Sequence, residues 1–252
     1  MSSALNITNS IFKGFNDNNG LMICGYEHGH SIDDQERDKN TTSPFHNTRI
    51  ECTFSNQTPR YGEVAKTWPY QKTIKKWFRS WGFPLDERGL GGKLEKSIIL
   101  TNWANTQGHK MGIETKISSK LLSDEQVENF LLHIDSFRPR VLLLMGSQLI
   151  HCLNNQKVIP RFEAIVGKRV SNAKSIQQDT EEGRRFKVYF QEFQKNTGAH
   201  CQVVCFPHPS GSIGLRDGYI AQYKNLMAPI ISQFSCVLIN SILCAIYLVT
   251  NC

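Results

Sequence analysis

Leu21-Met22-Ile23-Cys24-Gly25-Tyr26-Glu27-His28-Gly29 decides how the rest of the chain is read. Four consecutive apolar residues predict a buried strand. Gly25 ends it, and a carboxylate and an imidazole follow two and three positions later. Gly29 then allows a sharp turn. In open α/β sheets, ligands bind outside the carboxyl ends of the strands. The spacing therefore delivers Glu27 and His28 to a place suited to chemistry. The alternative is a strand that simply leaves the core into a polar loop.

Three later stretches repeat the pattern. Ser97-Ile-Ile-Leu-Thr-Asn-Trp103 is a second strand, ending in Asn102. Val141 to Met145 is a third, closed by Gly146. Cys201 to Phe206 is a fourth, followed by Pro207-His208-Pro209-Ser210-Gly211-Ser212-Ile213-Gly214-Leu215-Arg216. Helical periodicity lies between them. Pro69 opens a helix to about Trp81, with Ile74, Trp77, Phe78 and Trp81 on one apolar stripe. Its Lys72, Lys75, Lys76 and Arg79 form either a solvated face or a phosphate-facing patch. Ser123 with Gln126 spells a capping box before Val127, Phe130, Leu131 and Ile134. Further helices are expected from Ser147 to about Leu153 and from Gly218 to about Phe234. Residues 157–187 are basic and irregular, with helical character around Phe186 to Phe193. Residues 51–55 form a short strand or turn that carries Phe54 inward. Strands alternating with helices predict a three-layer α/β/α fold around a central, mostly parallel four-stranded sheet.

The 252 residues suit one large domain with a substantial core. A polar stretch at 1–20 is expected to be a flexible lead-in, 21–232 the α/β domain, and 233–252 an apolar tail. A net charge of +7 favours an anionic partner such as nucleic acid. The eight cysteines include no Cys-x-x-Cys pair, which argues against an iron–sulfur cluster or zinc ribbon. His200, Cys201, Cys205 and His208 match no common zinc spacing, and no metal is expected. Gly82 to Gly92 lacks the pattern of a phosphate-binding loop. No basic-then-apolar leader opens the chain, so a cytoplasmic protein with reduced thiols is expected. No charged residue follows Lys224, and Ile230 to Thr250 is nearly long enough to span a bilayer. A terminal core helix with an apolar tail is one outcome; membrane contact through 233–252 is the other.

Taken in order, the strand ends resemble the uracil-DNA glycosylase superfamily. Gly25-Tyr26-Glu27-His28 resembles its first motif: a glycine, any residue, an Asp or Asn, then usually Pro. Phe54 in Cys52-Thr53-Phe54-Ser55 looks like the phenylalanine that stacks on the flipped base. Pro69-Tyr-Gln-Lys-Thr-Ile-Lys-Lys-Trp-Phe78 is similar to the Pro-rich entry into the next helix. Ile99-Leu-Thr-Asn102 looks like the strand whose asparagine reads the base edge. Leu142-Leu-Leu-Met-Gly146 looks like the strand before the last helix pair. His208-Pro-Ser-Gly-Ser-Ile-Gly-Leu-Arg216 resembles the His-Pro-Ser loop that binds the minor groove. The resemblance runs from about Leu21 to Ser232. It departs at Glu27, where Asp or Asn is usual, and at His28, where Pro is usual. It departs again at Gly29, where uracil-specific enzymes carry a tyrosine that blocks the C5 position of the base.

The resemblance implies a monofunctional DNA glycosylase. Such an enzyme hydrolyses the N-glycosidic bond of a flipped-out pyrimidine and leaves an abasic site, without metal or cofactor. Glu27 would stabilise the sugar cation and activate water, and His208 would donate a hydrogen bond to the departing base. Tyr26, His28, Gly29, Phe54 and Asn102 would line the base pocket. Ser210, Ile213, Leu215 and Arg216 would hold DNA, with Ile213 and Leu215 as wedges. Gly29 would admit uracil or a C5-modified base, with the polar insert at 30–50 beside it. Repair of damaged bases and attack on modified foreign DNA both fit. DNA is the expected partner and a monomer the expected state. A glycosylase-like domain that holds DNA without cutting it is the alternative, motivated by His28.

Overall fold

The computed structural model of the chain describes residues 5–29, 50–108, 117–180 and 184–233. Its first part holds β1 (Leu21–Gly25), β2 (His28–Gly29), α1 (Thr58–Tyr61), a 3-10 turn (Glu63–Thr67), α2 (Pro69–Ser80) and α3 (Lys93–Ser97). Next come β3 (Ile98–Asn102), β4 (Gln107–Gly108), α4 (Ile117–Leu121), α5 (Asp124–Phe137), β5 (Val141–Met145), α6 (Ser147–Leu153) and α7 (Ile159–Val166). The last part holds β6 (Lys168–Arg169), β7 (Lys174–Ile176), β8 (Val188–Gln194), β9 (His200–Phe206) and α8 (Asp217–Ala221), and residues 224–233 are again helical.

The fold is mixed α/β with a central, mostly parallel sheet. All four strands legible in the sequence pair in parallel, in the order β3, β1, β5, β9. Every residue of β1 and β5 is buried, which accounts for their unbroken apolar runs. Alternate residues enter two separate apolar clusters. Met22, Cys24, Leu142 and Leu144 join Phe130, Ile134, Ile150 and Phe162 in one. Leu21, Ile23, Leu143 and Met145 join Ile74, Trp77, Phe78 and Ile220 in the other. The register pairs Gly25 with Asn102 and Met145 with Phe206. The four carboxyl ends therefore lie along one edge, and β1 lies between β3 and β5, where the strand order reverses. That switch point is where such sheets open a crevice.

Several expectations are corrected. Among the described residues the sheet has seven strands, not four. β8 pairs antiparallel with β9, and β6 and β7 pair antiparallel with β8. The stretch around Phe186 to Phe193, expected to be helical, is thus largely strand. Tyr189, Phe190 and Phe193 satisfy helical spacing, but pairing with β9 from Tyr189 to Gln194 decides the outcome for a β-branched and aromatic run. The capping box does not form. Ser123 makes no side-chain cap, and the Gln126 carboxamide instead accepts from the Asn105 N–H at 2.8 Å. Gly29 does not turn the chain sharply; it pairs in extended form with Gly108.

The first part of the expected loose lead-in, Asn6 to Asn9, is packed on the outer edge of β3. Ile7 is buried and bridges Thr101, and Thr8 N–H bonds the Leu100 carbonyl. The Asn9 side chain donates to the Ile98 carbonyl and accepts from the Leu100 N–H. This segment pairs backbone groups that an edge strand leaves open. Cys24, Cys52, Cys152, Cys201 and Cys205 are buried and unpaired. Among the described residues no helix is long and apolar enough to cross a membrane. The tail from residue 234 and the insert at 30–49 lie outside the described residues.

Candidate active site at the carboxyl edge of the sheet

Tyr26 is the first residue beyond β1, and it occupies the switch point. Gly146, with φ +147°, lies directly under its ring; any Cβ there would collide with the phenol. The Tyr26 hydroxyl accepts from the Gln148 N–H at 3.1 Å, in the first turn of α6. Held at both ends, the ring stacks on His208 at 5.8 Å between centroids and 15° between planes. Tyr70, from the first turn of α2, reaches the same imidazole at 5.5 Å and 48°. Burial pushes the His208 pKa down to about 4, so the ring is neutral at pH 7. Among the described residues, His208 Nδ1 and the Tyr70 hydroxyl are both buried without a hydrogen-bond partner.

Beside them, Gly25 lets Asn102 approach. A Cβ on Gly25 would collide with Asn102 Oδ1 and lie 3.1 Å from the Tyr70 hydroxyl. Asn102 Nδ2 lies 3.1 Å from His28 Nδ1. His28 is buried, and desolvation lowers its pKa to about 4 even though Glu27 pulls it upward. A neutral His28 accepts on Nδ1, the amide N–H donates, and Oδ1 remains above Gly25.

Glu27 faces a different set of partners. Its Oε2 accepts from Lys120 Nζ at 2.5 Å and from the Thr106 hydroxyl at 2.8 Å. Both contacts fall on one oxygen, which leaves Oε1 for another partner. The side chain of Glu27 is only 3% exposed, so the lysine supplies the counter-charge that burial requires.

The edge thus brings Tyr26, His28, Asn102 and His208 together, with Glu27 in the same loop. Gly29 is exposed, and among the described residues nothing lies within 4 Å of where its Cβ would be. Phe54 is different: it is 1% exposed, in the cluster with Ile23, Ile74 and Trp77, and offers no open face for stacking. In the loop after β9, Ser210 and Arg216 are exposed, Leu215 packs partly on the core, and Ile213 is 90% exposed. Gly214 turns this loop with φ +84° against the side chain of Arg184. Part of the helical charge expected to face solvent or phosphate is tied down, Lys75 to Glu87 and Lys76 to Asp217. His200 lies at the far end of β9 from His208 and pairs with Glu192 at 2.9 Å.

Tyr70, Lys120 and Thr106 were not among the residues singled out in the sequence. Tyr70 carried a signal, since it follows the proline that opens an amphipathic helix. Lys120 and Thr106 carried none: their partner is distant in the chain. No protein-family model matches this chain, and no curated protein matches it.

Proposed function

We propose that the protein is a DNA glycosylase that removes uracil or a C5-modified pyrimidine and leaves an abasic site. One observation carries the proposal: the motif residues Tyr26, His28, Asn102 and His208 meet at one sheet edge beside a buried carboxylate, Glu27. On this view the domain is a three-layer α/β/α unit working as a cytoplasmic monomer without a cofactor, in base repair or against modified foreign DNA.

The target bond lies inside the duplex, so the base must leave the stack. Ile213, exposed on a glycine-flanked loop, is suited to fill the gap, while Ser210 and Arg216 hold the backbone. In the reaction a water oxygen bonds to C1′ of the sugar. The glycosidic electron pair leaves with the base, and the water proton passes to Glu27. Oε1 is the oxygen suited to that water, because Oε2 is committed to Lys120 and Thr106. Positive charge on the sugar is stabilised by the carboxylate. Negative charge on the base is met by the N–H of a neutral His208, a donor preorganised by the rings of Tyr26 and Tyr70. Glycine at position 29, with no side chain of its own, is suited to admit a substituent at C5.

A second reading is a DNA-binding module that does not cut. The buried ring of Phe54 favours it, since base stacking needs an open face. Mass spectrometry of free bases released from DNAs containing uracil, thymine mismatches, or hydroxymethylated or glucosylated cytosine separates the two. Release that disappears in Glu27→Ala supports the glycosylase. Intact DNA binding with no release from any substrate supports the module.

A further inference from the structure

We infer that Tyr70 is a specificity-determining residue whose hydroxyl reads the polar edge of a pyrimidine held beside the amide oxygen of Asn102. The inference rests on the proposal that this edge takes a flipped base.

Buried polar groups are almost always paired. Among the described residues the Tyr70 hydroxyl is buried and has no partner, and it lies 3.1 Å from where a Cβ of Gly25 would stand. Phenylalanine would fill the same volume without an unpaired hydroxyl, so packing alone gives no reason for tyrosine. His208, whose ring touches that of Tyr70, also keeps a buried nitrogen, Nδ1, without a partner. Asn102 completes the set. Its Nδ2 is committed to His28, and its Oδ1 lies over Gly25, closer than a Cβ there would allow.

These atoms define the chemistry of the ligand. Asn102 Oδ1 only accepts, so it selects an N–H. The Tyr70 hydroxyl donates as well as accepts, so it pairs with an adjacent carbonyl oxygen or ring nitrogen. An N–H next to an acceptor is the outer edge of a pyrimidine. His28 thus acts through Asn102 by orienting its amide, and Tyr70 supplies the second contact.

The test uses the full chain and duplexes that carry one 2′-fluorinated pyrimidine nucleotide, whose glycosidic bond resists cleavage. The panel holds uracil, thymine, cytosine and 5-hydroxymethylcytosine. The wild-type protein is expected to prefer one base over an unsubstituted duplex. Tyr70→Phe is expected to lower that preference at least tenfold and to leave non-specific affinity intact. Its Tm should stay equal or rise, because the change deletes an unpaired hydroxyl. Equal preference in the variant overturns the inference, as does a loss accompanied by a lowered Tm, or a wild type without preference. Release from cleavable duplexes is measured in parallel. Preference without release defeats the glycosylase proposal and leaves Tyr70 as the reader. Release unchanged in Tyr70→Phe defeats the role of Tyr70 and leaves the glycosylase.

Discussion

Lys120 Nζ sits 2.5 Å from Glu27 Oε2, and the carboxylate is the more buried partner, 3% exposed against 27% for the lysine side chain. The asymmetry decides which substitution is damaging. Lys120→Met leaves a buried carboxylate with only a threonine hydroxyl and should cost about 2–4 kcal/mol. Glu27→Gln keeps the shape, removes the buried charge, and lets the lysine turn to water, so it should cost less than about 1.5 kcal/mol. Urea unfolding of the two variants checks the order. Equal costs would show that the lysine does not compensate the burial of Glu27.

Stability should fall as the pH is lowered from about 6.5 to about 4. Burial holds His28, His133 and His208 at about 4, below the ordinary value of 6.5. Above 6.5 these histidines are neutral in both states and contribute no slope. Between 6.5 and 4 the unfolded chain takes up protons that the folded protein refuses, and the folded state loses ground. Each histidine accounts for roughly 3 kcal/mol at most across that window. His133 is held by the Asn6 N–H at 3.0 Å and by the Thr101 hydroxyl, and it has no role in the proposed reaction. His133→Gln should therefore reduce the slope measured by urea unfolding at pH 7, 5.5 and 4.5 and leave base release at pH 7 little changed.

Gly146→Ala should damage the site from beneath. The new methyl collides with the ring of Tyr26, at a backbone φ of +147° that side chains rarely adopt. Tyr26 must leave its place between α6 and His208. A loss of about 2–4 kcal/mol is expected, read as a lowered Tm. Base release should fall with it, because the imidazole loses its stacking partner. A variant with wild-type Tm would mean that Tyr26 moves at no cost.

Ile213→Ala separates wedge from scaffold. At 90% exposure the side chain contributes nothing to the core, so stability should change by less than about 0.5 kcal/mol. Release from duplex DNA should drop about tenfold or more, while release from single strands, where no stack must be opened, should hold. Equal losses on both substrates would remove the wedge role.

Gly29→Tyr tests the C5 side of the pocket. The backbone there is extended, a conformation any residue adopts, and among the described residues nothing lies within 4 Å of where its Cβ would be. Release of C5-substituted bases should fall at least tenfold, and release of uracil should persist. An unchanged base profile would place the C5 position elsewhere.

Much of the fold was legible in local pattern. Unbroken apolar runs marked the four parallel strands, and the stripe of Ile74, Trp77 and Phe78 marked α2, because burial on two faces or on one imposes those periods. The antiparallel extension was not legible. In β8 the aromatic spacing fits helix and strand alike, and only pairing with β9 chooses. Phe54 shows the limit for the site: its inward position was readable, but its complete burial depends on side chains from β1 and α2.

By itself, then, the sequence determined the four parallel strands, the helix α2 and which residues stand at the carboxyl ends. Those properties follow from neighbours in the chain. Only the tertiary structure decided who faces whom. Lys120 lies 93 residues from Glu27, Asn102 lies 74 from His28, and Asn9 lies 91 from the strand residue whose N–H it binds. Polar partners at such separations leave no periodic trace. They are chosen because a buried charge or amide must be paired, and the packed sheet determines which group is near enough to do it.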